Sequence, residues 1–372
     1  MSRHQILTRL AKYFHVVWIN PPPDWQRALN CPKENHKDSS SLPPGFHVYE
    51  ADFWLPNFYR PRFLADFTFR ERLKRAREVL VHKGCRKIIL YIWRPEFHMA
   101  LDVVPFDLSC YHVVDEYSFS EIESPNSRAE LKLLERADQV FVHTQALLEK
   151  KGQLCRNIAV VPNGVSFAEF STPVPEPASL VMIPHPRIGY AGYLKKTLDW
   201  NLLLDLSSRH ADYSFVFVGA QMHQKHLTRI REELSSRPNA YFLGPLTTSQ
   251  MSHYAQHFDV CIMPYRLNDY TNYIYPLKLH EYLASGRPVV ASPTRLLKEF
   301  EGTIQLCRSP EEWSTAISTA LKPEANSAEA RKARQEVAKK HDWDTIVGSI
   351  VRTFCRKLGL KWEHVMDEVL LC

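Results

Sequence analysis

Patterns that mark several common classes of protein are missing from this chain of 372 residues. There is no Gly-x-Gly-x-x-Gly, which disfavours a nicotinamide or flavin enzyme, and no Walker A motif, which disfavours a P-loop ATPase. No cluster has zinc-ligand spacing. The only Asp-x-Asp, at Asp342-Trp-Asp344, interrupts a helical stretch near the C-terminus, and we interpret it as a helix cap. The sequence therefore predicts no required metal and no cofactor.

Long apolar runs and paired cysteines are also lacking. No run approaches the roughly eighteen apolar residues that a membrane span requires. The first residues, 1–12, contain no apolar core of a signal peptide. The eight Cys form no Cys-x-x-Cys pair, and Cys110 and Cys261 lie in apolar strand-like runs, so we expect reduced, mostly structural thiols. These absences predict a cytoplasmic protein.

The net charge of +6 is modest, and part of it is local. A basic and aromatic segment contains Arg60, Arg62, Arg70, Arg72, Lys74, Arg75 and Arg77 together with Phe58, Tyr59, Phe63, Phe67 and Phe69. One interpretation is the solvated face of an amphipathic helix. The other is a peripheral contact with anionic lipid headgroups on the inner face of the cytoplasmic membrane. Nucleic-acid binding is disfavoured because no nucleic-acid module accompanies the charge.

Strand-like runs alternate with helical stretches along the whole chain, which predicts an α/β fold with parallel sheets. The predicted strands are 14–20, 46–51, 87–93, 108–115, 137–144, 157–162, 187–191, 214–218, 240–243, 259–264, 288–291 and 303–307. A helical stretch at 3–12 precedes them, and the first strand and glycine loop that usually open a Rossmann-like domain are not found. We expect a chain that begins late rather than a rearranged sheet.

A proline-rich linker divides the predicted elements into two Rossmann-like αβα domains. The first domain is 1–172, the linker 173–186 and the second domain 187–342, and residues 343–372 form a helix that we expect to cross back to the first domain. Two such domains facing each other across a cleft place the ligand in that cleft.

The segment Tyr275–Ser292 carries the most specific chemistry. Pro276 opens a helix, Gly286 ends it, and Lys278 and Glu281 share one face because they are three residues apart. A helix N-terminus with a Lys attracts phosphate, and Glu281 can accept hydrogen bonds from sugar hydroxyls. The alternative is an ordinary exposed ion pair, which stabilises a helix by only a few tenths of a kcal/mol.

Turns after neighbouring strands supply further candidates. Gly189 and Gly192, followed by Lys195-Lys196, allow the backbone to approach phosphates and add charge, although a surface turn would look the same. Gly219 and Gly244 end the next two strands, and Tyr265 ends a third. A simpler interpretation of the two glycines is turn punctuation.

Candidates in the first domain are Asp115-Glu116 and Arg94, each at the end of a strand. Asp115 could accept the proton of an acceptor hydroxyl, orient the acceptor, or cap the next helix. Arg94 is the matching basic residue, unless it forms only a surface ion pair. His143 is more typical of a packed or solvated histidine than of a base.

Several patterns in order resemble the GT-B glycosyltransferases, closest to glycosyltransferase family 4 and to enzymes of teichuronic-acid-type surface polysaccharide biosynthesis. The patterns are Tyr111-His-Val-Val-Asp-Glu-Tyr-Ser118, Ala137-Asp-Gln-Val-Phe-Val-His-Thr144, Val161-Pro-Asn-Gly-Val165, Ile188-Gly-Tyr-Ala-Gly192, Phe215-Val-Phe-Val-Gly219, Phe242-Leu-Gly244, Asp259-Val-Cys-Ile-Met-Pro264 and Pro276-Leu-Lys-Leu-His-Glu-Tyr-Leu-Ala-Ser-Gly-Arg-Pro-Val-Val290. No single pattern is decisive, but the ordered set is fairly specific.

The resemblance implies a nucleotide-sugar site in the second domain. Lys278 would bind the donor pyrophosphate, Glu281 the ribose or the adjoining sugar, and Lys195 or Lys196 would be the second basic residue. Backbone groups at Gly192, Gly219 and Gly244, with Tyr265, would line the nucleotide. The family usually has a second Glu eight positions before Glu281, and this chain has Tyr273 there.

These features predict transfer of a sugar from a nucleotide donor to a glycan or lipid-linked glycan, and the resemblance implies a UDP-linked donor. Asp115 and Glu281 are the catalytic candidates, and Arg94 and Asp115 the acceptor-side residues. The resemblance favours retention of anomeric configuration, and Tyr273 leaves inversion open. Three alternatives remain: a nucleotide-sugar epimerase, a phosphorylase, and a catalytically silent GT-B-like subunit of a polysaccharide assembly complex.

Overall fold

The computed structural model describes residues 2–19, 42–49, 62–116, 128–220 and 228–361. Contacts divide the chain into two compact units. The first contains Met1–Val161 and Ile346–Cys372, and the second contains Pro162–Thr345. No helix in the described ranges is long and apolar enough to cross a membrane.

The first unit contains two parallel sheets. Strands β1 (Val16–Ile19) and β2 (Phe46–Tyr49) pair with each other. Strands β3 (Ile89–Ile92), β4 (Leu108–Val113), β5 (Gln139–Val142) and β6 (Ile158–Val160) form a four-stranded sheet in that order. Helices α1 to α5 are Ser2–Leu10, Arg62–His82, Ala100–Val103, Arg128–Arg136 and Gln145–Lys151.

The last described helix of the chain, Trp343–Leu358, completes the core of the first unit. Its Phe354 ring meets the ring of Tyr91 edge-on at 5.7 Å, and the rings of Phe14 and Phe141 each lie 6.2 Å away. The ammonium of Lys357 donates to the backbone oxygen of Asp138 over 2.9 Å.

The second unit is a six-stranded parallel sheet covered by helices. Its strands are β7 (Arg187–Ala191), β8 (Ser214–Val218), β9 (Ala240–Phe242), β10 (Val260–Met263), β11 (Val289–Ala291) and β12 (Gln305–Leu306), in the order β12-β11-β10-β7-β8-β9. Its helices α6 to α13 are Phe167–Ser171, Ala178–Val181, Trp200–Arg209, Thr228–Ser235, Thr248–Ala255, Lys278–Ala284, Pro310–Ala320 and Ala328–Lys339. The helix Trp343–Leu358, most of which belongs to the first unit, is α14.

The strand order reverses direction between β7 and β10, which are neighbours in the sheet although they are far apart in the chain. In open parallel sheets, ligands bind outside the carboxyl ends of the strands at such a reversal. We therefore expect a ligand site among the residues that follow β7, β8, β9 and β10.

Every predicted strand is present, and β7 and β8 have the predicted bounds. Residues 20, 50 and 51 of the predicted strands lie outside the described residues, as do Phe58, Tyr59 and Arg60 of the basic segment. The predicted linker differs from the observed structure. The segment 173–186 contains the short helix Ala178–Val181. Leu180 in this segment and Phe170 just before it are buried in the core of the second unit because their side chains are apolar.

The predicted basic surface needs one correction. Arg72 is buried, and its Nε donates to the backbone oxygen of Thr68 over 3.1 Å. Phe69 stacks on Phe97 with the ring centres 6.0 Å apart. The exposed stripe of helix α2 instead includes Phe63, Phe67, Arg70 and Lys74, because positions spaced by three or four residues share a helix face.

Candidate functional site

Three glycine turns lie side by side at the carboxyl edge of the six-stranded sheet. The backbone N–H of Gly192 donates to the oxygen of Val218, and that of Gly219 to the oxygen of Gly244, both over 2.7 Å. A Cβ atom on Gly219 would lie 2.2 Å from the oxygen of Gly192, so a side chain at Gly219 would force the turns apart. The predicted turns thus form one continuous backbone edge.

Lys278 reaches this edge from the first position of helix α11. Its ammonium lies 5.1 Å from the centre of the Tyr190 ring, within the range of a cation–π contact. A Cβ atom on Gly192 would lie 2.0 Å from Cε and 2.2 Å from Nζ of Lys278. The missing side chain at Gly192 is therefore the space that the end of Lys278 occupies.

Gly189 has a different role from the one that its sequence position suggests. It lies inside β7, and a Cβ atom there would lie 2.1 Å from the ring of Phe258. The glycine accommodates an aromatic ring of the core, so it does not open the backbone to a phosphate.

Glu281 is half-buried one turn after Lys278 on the same helix. Burial raises the pKa of its carboxyl group, and the charge of Lys278 acts in the opposite direction. The two charges therefore influence each other, and the roles of Lys278 and Glu281 in a site stay a prediction.

Two buried tyrosines lie beneath this pair. The hydroxyl of Tyr190 donates to the backbone oxygen of Tyr193 over 3.2 Å. Burial raises the pKa of the phenols of Tyr190 and Tyr265, and the two groups influence each other. Tyr265 is only 7% exposed. Tyr265, predicted to line the nucleotide, therefore lies in the floor of the site. Tyr190 was missed by sequence reasoning, although it belongs to the segment that ends at Gly192.

Helix α11 is fixed to strand β7 by a third tyrosine. The buried hydroxyl of Tyr282 accepts a hydrogen bond from the backbone N–H of Ala191 over 2.8 Å. Ala191 precedes Gly192, so this bond fixes the helix beside the glycine that Lys278 contacts. A seven-residue helix has little stability of its own, and such tertiary contacts set its position.

Lys195 and Lys196 lie half-buried in the turn after β7. The backbone oxygen of Lys195 accepts hydrogen bonds from the N–H of Leu198 over 3.1 Å and from the indole of Trp200 over 3.2 Å. These bonds shape the turn. The choice of Lys195 or Lys196 as the second basic residue remains a prediction.

In the first unit, the neighbouring residues Asp115 and Glu116 have different environments. Asp115 is half-buried, and its Oδ1 accepts the N–H of Glu116 over 2.9 Å. Glu116 is fully buried and forms ion pairs with Lys150 at 3.3 Å and Lys151 at 3.5 Å. Glu116 is therefore structural, and Asp115 is the more accessible carboxylate of the two.

The buried charges around Glu116 balance each other. Lys151, also buried, forms a second ion pair with Glu130 at 2.6 Å, and Glu130 accepts the hydroxyl of Tyr111 over 3.4 Å. Breaking one partner of such a buried group leaves an uncompensated charge. The cluster holds the end of β4, from which Asp115 follows.

Arg94 forms an ion pair with Glu96 at 2.5 Å, and its side chain is 37% exposed. It follows β3, while Asp115 follows β4, and these strands are parallel neighbours. Both candidates therefore lie beyond the same edge of the four-stranded sheet. The ion pair is the alternative that sequence reasoning left open for Arg94.

Two buried histidines lie behind that edge. His112 stacks on Trp93 with ring centres 4.3 Å apart, and its Nδ1 is 2.6 Å from the hydroxyl of Tyr91. His143 lies 4.9 Å from His112, and its Nδ1 is 2.9 Å from the oxygen of Val161. Burial lowers the pKa of His143 to about 4. His143 is thus a packed histidine, as predicted.

Asp342 and Asp344 behave as the predicted cap. Oδ1 of Asp342 accepts the N–H of Asp344 over 2.8 Å at the start of helix α14, and Oδ2 accepts the N–H of Phe167 over 3.0 Å. Among the residues that the structure describes, no group of three or more His, Cys, Asp or Glu is arranged to hold a metal ion.

Comparison with known proteins places these features in context. Residues 185–323 match the family described as glycosyl transferases group 1. A protein of Bacillus subtilis (strain 168), named as the teichuronic acid biosynthesis glycosyltransferase TuaH, is 26% identical over 376 aligned residues, which cover 94% of this chain and 92% of that protein.

Solved structures resemble the whole chain. The crystal structure of Anabaena HepE in complex with UDP and glucose has a TM-score of 0.70 at 15% identity, covering 95% of this chain and 96% of that one. A structure from E. coli, described as trehalose-6-phosphate bound with UDP-2-fluoro glucose, has a TM-score of 0.65 at 13% identity and covers 94% of each chain. At these identities the likeness concerns the fold, which is that of GT-B glycosyltransferases.

Proposed function

We propose that this chain, whose fold is that of GT-B glycosyltransferases, transfers a hexose from a UDP-linked donor to a glycan or lipid-linked glycan acceptor. The observation that carries the proposal is the ammonium of Lys278 held against Gly192, at the carboxyl edge of the parallel sheet. A fixed positive charge beside a bare backbone edge suits a diphosphate.

The donor chemistry follows from the neighbours of Lys278. Its charge would stabilise the diphosphate that leaves when the glycosidic bond to the donor sugar breaks. Of the three turns, Gly244 has open space beside it, since a Cβ atom there would meet nothing within 4 Å, and we propose that the nucleotide lies along this edge. Glu281 would accept hydrogen bonds from the ribose or from the sugar. We propose that these groups, with Lys195 or Lys196, suffice without a metal ion.

The acceptor class is proposed from the relatives. The Bacillus subtilis relative is named for teichuronic acid biosynthesis, which supports an acceptor in surface polysaccharide synthesis. Asp115 is the carboxylate that we propose for the acceptor hydroxyl, because the buried Glu116 already forms ion pairs with Lys150 and Lys151. Arg94, although paired with Glu96, is the proposed basic partner on the acceptor side.

We further propose that the exposed stripe of helix α2 rests on an anionic membrane surface. Phe63 is 69% exposed and Phe67 is 54% exposed, and both lie on the same stripe as Arg70 and Lys74. Exposed aromatic rings beside basic side chains match the chemistry of a lipid headgroup region. A lipid-linked acceptor would be reached from such a position.

Two substitutions test the assignment of roles. Lys278→Ala removes the positive charge, and we expect UDP affinity measured by calorimetry to fall about tenfold or more, which corresponds to about 1.4 kcal/mol. Asp115→Asn removes the carboxylate of the acceptor side, and we expect sugar transfer to be lost while UDP affinity stays unchanged.

Each variant has a matched control in the same unit. Lys332→Ala removes an exposed lysine of helix α13, and Asp102→Asn removes an exposed carboxylate that pairs with Arg136. Both controls should behave like the unmodified protein. Unchanged UDP affinity in Lys278→Ala would show that the donor site is assigned wrongly. Full turnover in Asp115→Asn would exclude Asp115 as the base.

A further inference from the structure

A buried hydrogen bond joins a residue before Lys278 to a residue after it, at the first turn of helix α11. The hydroxyl of Tyr275, three residues before Lys278, lies 2.7 Å from Nε2 of His280, two residues after it. Tyr275 is 9% exposed and His280 is fully buried. The bond therefore connects the chain before Lys278 with the chain after it, and it is shielded from water.

The first turn of this helix is weak without such support. Its N-cap position is Leu277, whose side chain offers no capping hydrogen bond. The N–H of Leu279 reaches the oxygen of Pro276 over 3.2 Å, and that of Glu281 reaches the oxygen of Leu277 over 3.4 Å, both at or beyond the long end of the usual range. Local bonds alone do not fix the position of Lys278.

Tyr275 and His280 are in turn held by the rest of the second unit. The side-chain amide of Asn163 donates to the backbone oxygen of Tyr275 over 3.0 Å. The ring of His280 stacks on His341 with centres 4.0 Å apart, and Phe300 meets it edge-on at 5.5 Å. These contacts hold Tyr275 and His280 in place through residues that lie outside helix α11.

The position of Lys278 has little tolerance. Its Cε and Nζ fill the space where Gly192 lacks a side chain, and its ammonium lies over the ring of Tyr190. A shift of the first turn by about an ångström would remove both contacts and move the charge away from the backbone edge. Whatever fixes the first turn therefore also fixes the charge.

We propose that Tyr275 and His280 are positioning residues for the donor diphosphate, which they serve by holding the first turn of α11 so that Lys278 points along Gly192. The inference rests on the proposed function, since it assigns Lys278 to the diphosphate. Neither Tyr275 nor His280 contacts the ligand. They act through Lys278 alone, and this separates them from the binding residues.

Tyr275→Phe tests the inference because it removes one hydroxyl and keeps the ring. We expect the dissociation constant for UDP, measured by calorimetry, to rise about fivefold, as loss of one buried hydrogen bond allows. The KM for the donor should rise in step, while kcat at saturating donor and the KM for the acceptor should stay unchanged. His280→Gln, which keeps a hydrogen-bonding group, should give a smaller loss.

A second variant shows whether the effect passes through Lys278. In a Lys278→Ala background, Tyr275→Phe should weaken UDP binding no further, because the charge that it positions is gone. Ser285→Ala is the matched control. It removes another hydroxyl hydrogen bond, from Oγ of Ser285 to the oxygen of Tyr282 over 2.7 Å, at the opposite end of the same helix. UDP affinity should not change in it.

The outcomes separate this inference from the proposed function. If Lys278→Ala weakens UDP binding and Tyr275→Phe stays within about twofold of the unmodified protein, the positioning role is wrong and the donor site stands. An equal loss in both backgrounds also overturns it, because Tyr275 would then act independently of Lys278. If Lys278→Ala leaves UDP affinity unchanged, the proposed function itself fails.

Discussion

Gly192 is the residue on which the geometry of the donor site depends most directly. It has a φ of +146°, in a region that favours glycine, and the end of the Lys278 side chain occupies the place of its missing Cβ. Two separate costs would follow from a side chain there. One is backbone strain, and the other is displacement of the ammonium.

Gly192→Ala should therefore weaken both stability and ligand binding. The flexible end of Lys278 can move aside, so we expect a folded protein that is less stable by about 1 kcal/mol in chemical denaturation. UDP affinity should fall about as far as in Lys278→Ala, by tenfold or so. The double variant Gly192→Ala, Lys278→Ala should bind UDP no more weakly than either single variant.

Gly302→Ala separates the two costs of a side chain. Its φ is +93°, and a Cβ atom there would meet nothing within 4 Å, so it carries the backbone strain without any clash. Its stability should fall by a similar amount, and its UDP affinity should not change. Equal UDP binding in Gly192→Ala and Gly302→Ala would show that the contact with Lys278 is unimportant.

Single-residue roles were predictable from the sequence only where chain position implies chemistry. The position of Lys278 and Glu281 on one helix face could be predicted because helix periodicity fixes which side chains lie together. Their roles in binding stay a prediction. Gly189 was assigned wrongly because Phe258, whose ring fills the space beside it, becomes its neighbour only in the fold. Arg72 was assigned wrongly because packing in the fold buries its part of helix α2. Asp115 and Glu116 are adjacent in sequence, and the burial of Glu116 and its ion pairs with Lys150 and Lys151 distinguish them.

At the scale of elements, strands were easier to predict than short helices. β7 and β8 are buried on both faces and are mostly apolar after their first residues, Arg187 and Ser214, so their bounds could be predicted. The helices Phe167–Ser171 and Ala178–Val181 were missed, because prolines around them favour a linker and only packing of Phe170 and Leu180 overrides that preference. Helix Gln145–Lys151 was also missed, since seven residues show too little periodicity.

The carboxyl ends of β4 and β5 carry a stability term that depends on pH. His143 follows β5, is 2% exposed, and has a pKa of about 4 because burial disfavours its charged form. In the unfolded chain its pKa is about 6.5. Above pH 6.5 both states are neutral. As pH falls from about 6.5 to 4, the unfolded state takes up a proton that the folded state does not, so stability is lost.

His143→Gln should make this loss smaller. The difference between the two pKa values corresponds to about 3 kcal/mol of stability lost by pH 4. Chemical denaturation at pH 7, 5.5 and 4.5 should show a shallower decline for the variant than for the unmodified protein. His112, whose pKa burial also holds well below its usual range, will keep part of the dependence. His82→Gln, at an exposed site, should change nothing, and equal slopes for all three proteins would contradict the assignment.

At the scale of the whole molecule, the division of the chain was largely accessible from the alternation of strands and helices. The core of the first unit includes Phe354 from the far end of the chain, packed on Tyr91 and Phe141. Residues 162–172, assigned to the first domain from sequence, pack in the second unit because Phe170 is buried there.

The two units also separate two proposed activities, donor binding by the second and membrane contact by helix α2 of the first. If they are independent, a change on helix α2 should alter vesicle binding and leave UDP affinity unchanged. Arg70→Glu with Lys74→Glu reverses the two exposed basic residues of the stripe, and Arg72 is left alone because it is buried.

The expected result is at least a tenfold loss of flotation with phosphatidylglycerol vesicles, since each basic residue near an anionic surface contributes about 1 kcal/mol. Phosphatidylcholine vesicles should bind neither protein, and added salt should weaken binding of the unmodified one.

Arg128→Glu with Lys132→Glu is the control, because it makes the same change of net charge at exposed positions of another helix of the first unit, and this variant should float normally. If the control variant loses flotation equally, attraction to the vesicles depends on total charge and the stripe has no special role. If the α2 variant floats as well as the unmodified protein, the proposed membrane contact is wrong, and the proposed donor site is unaffected by that result.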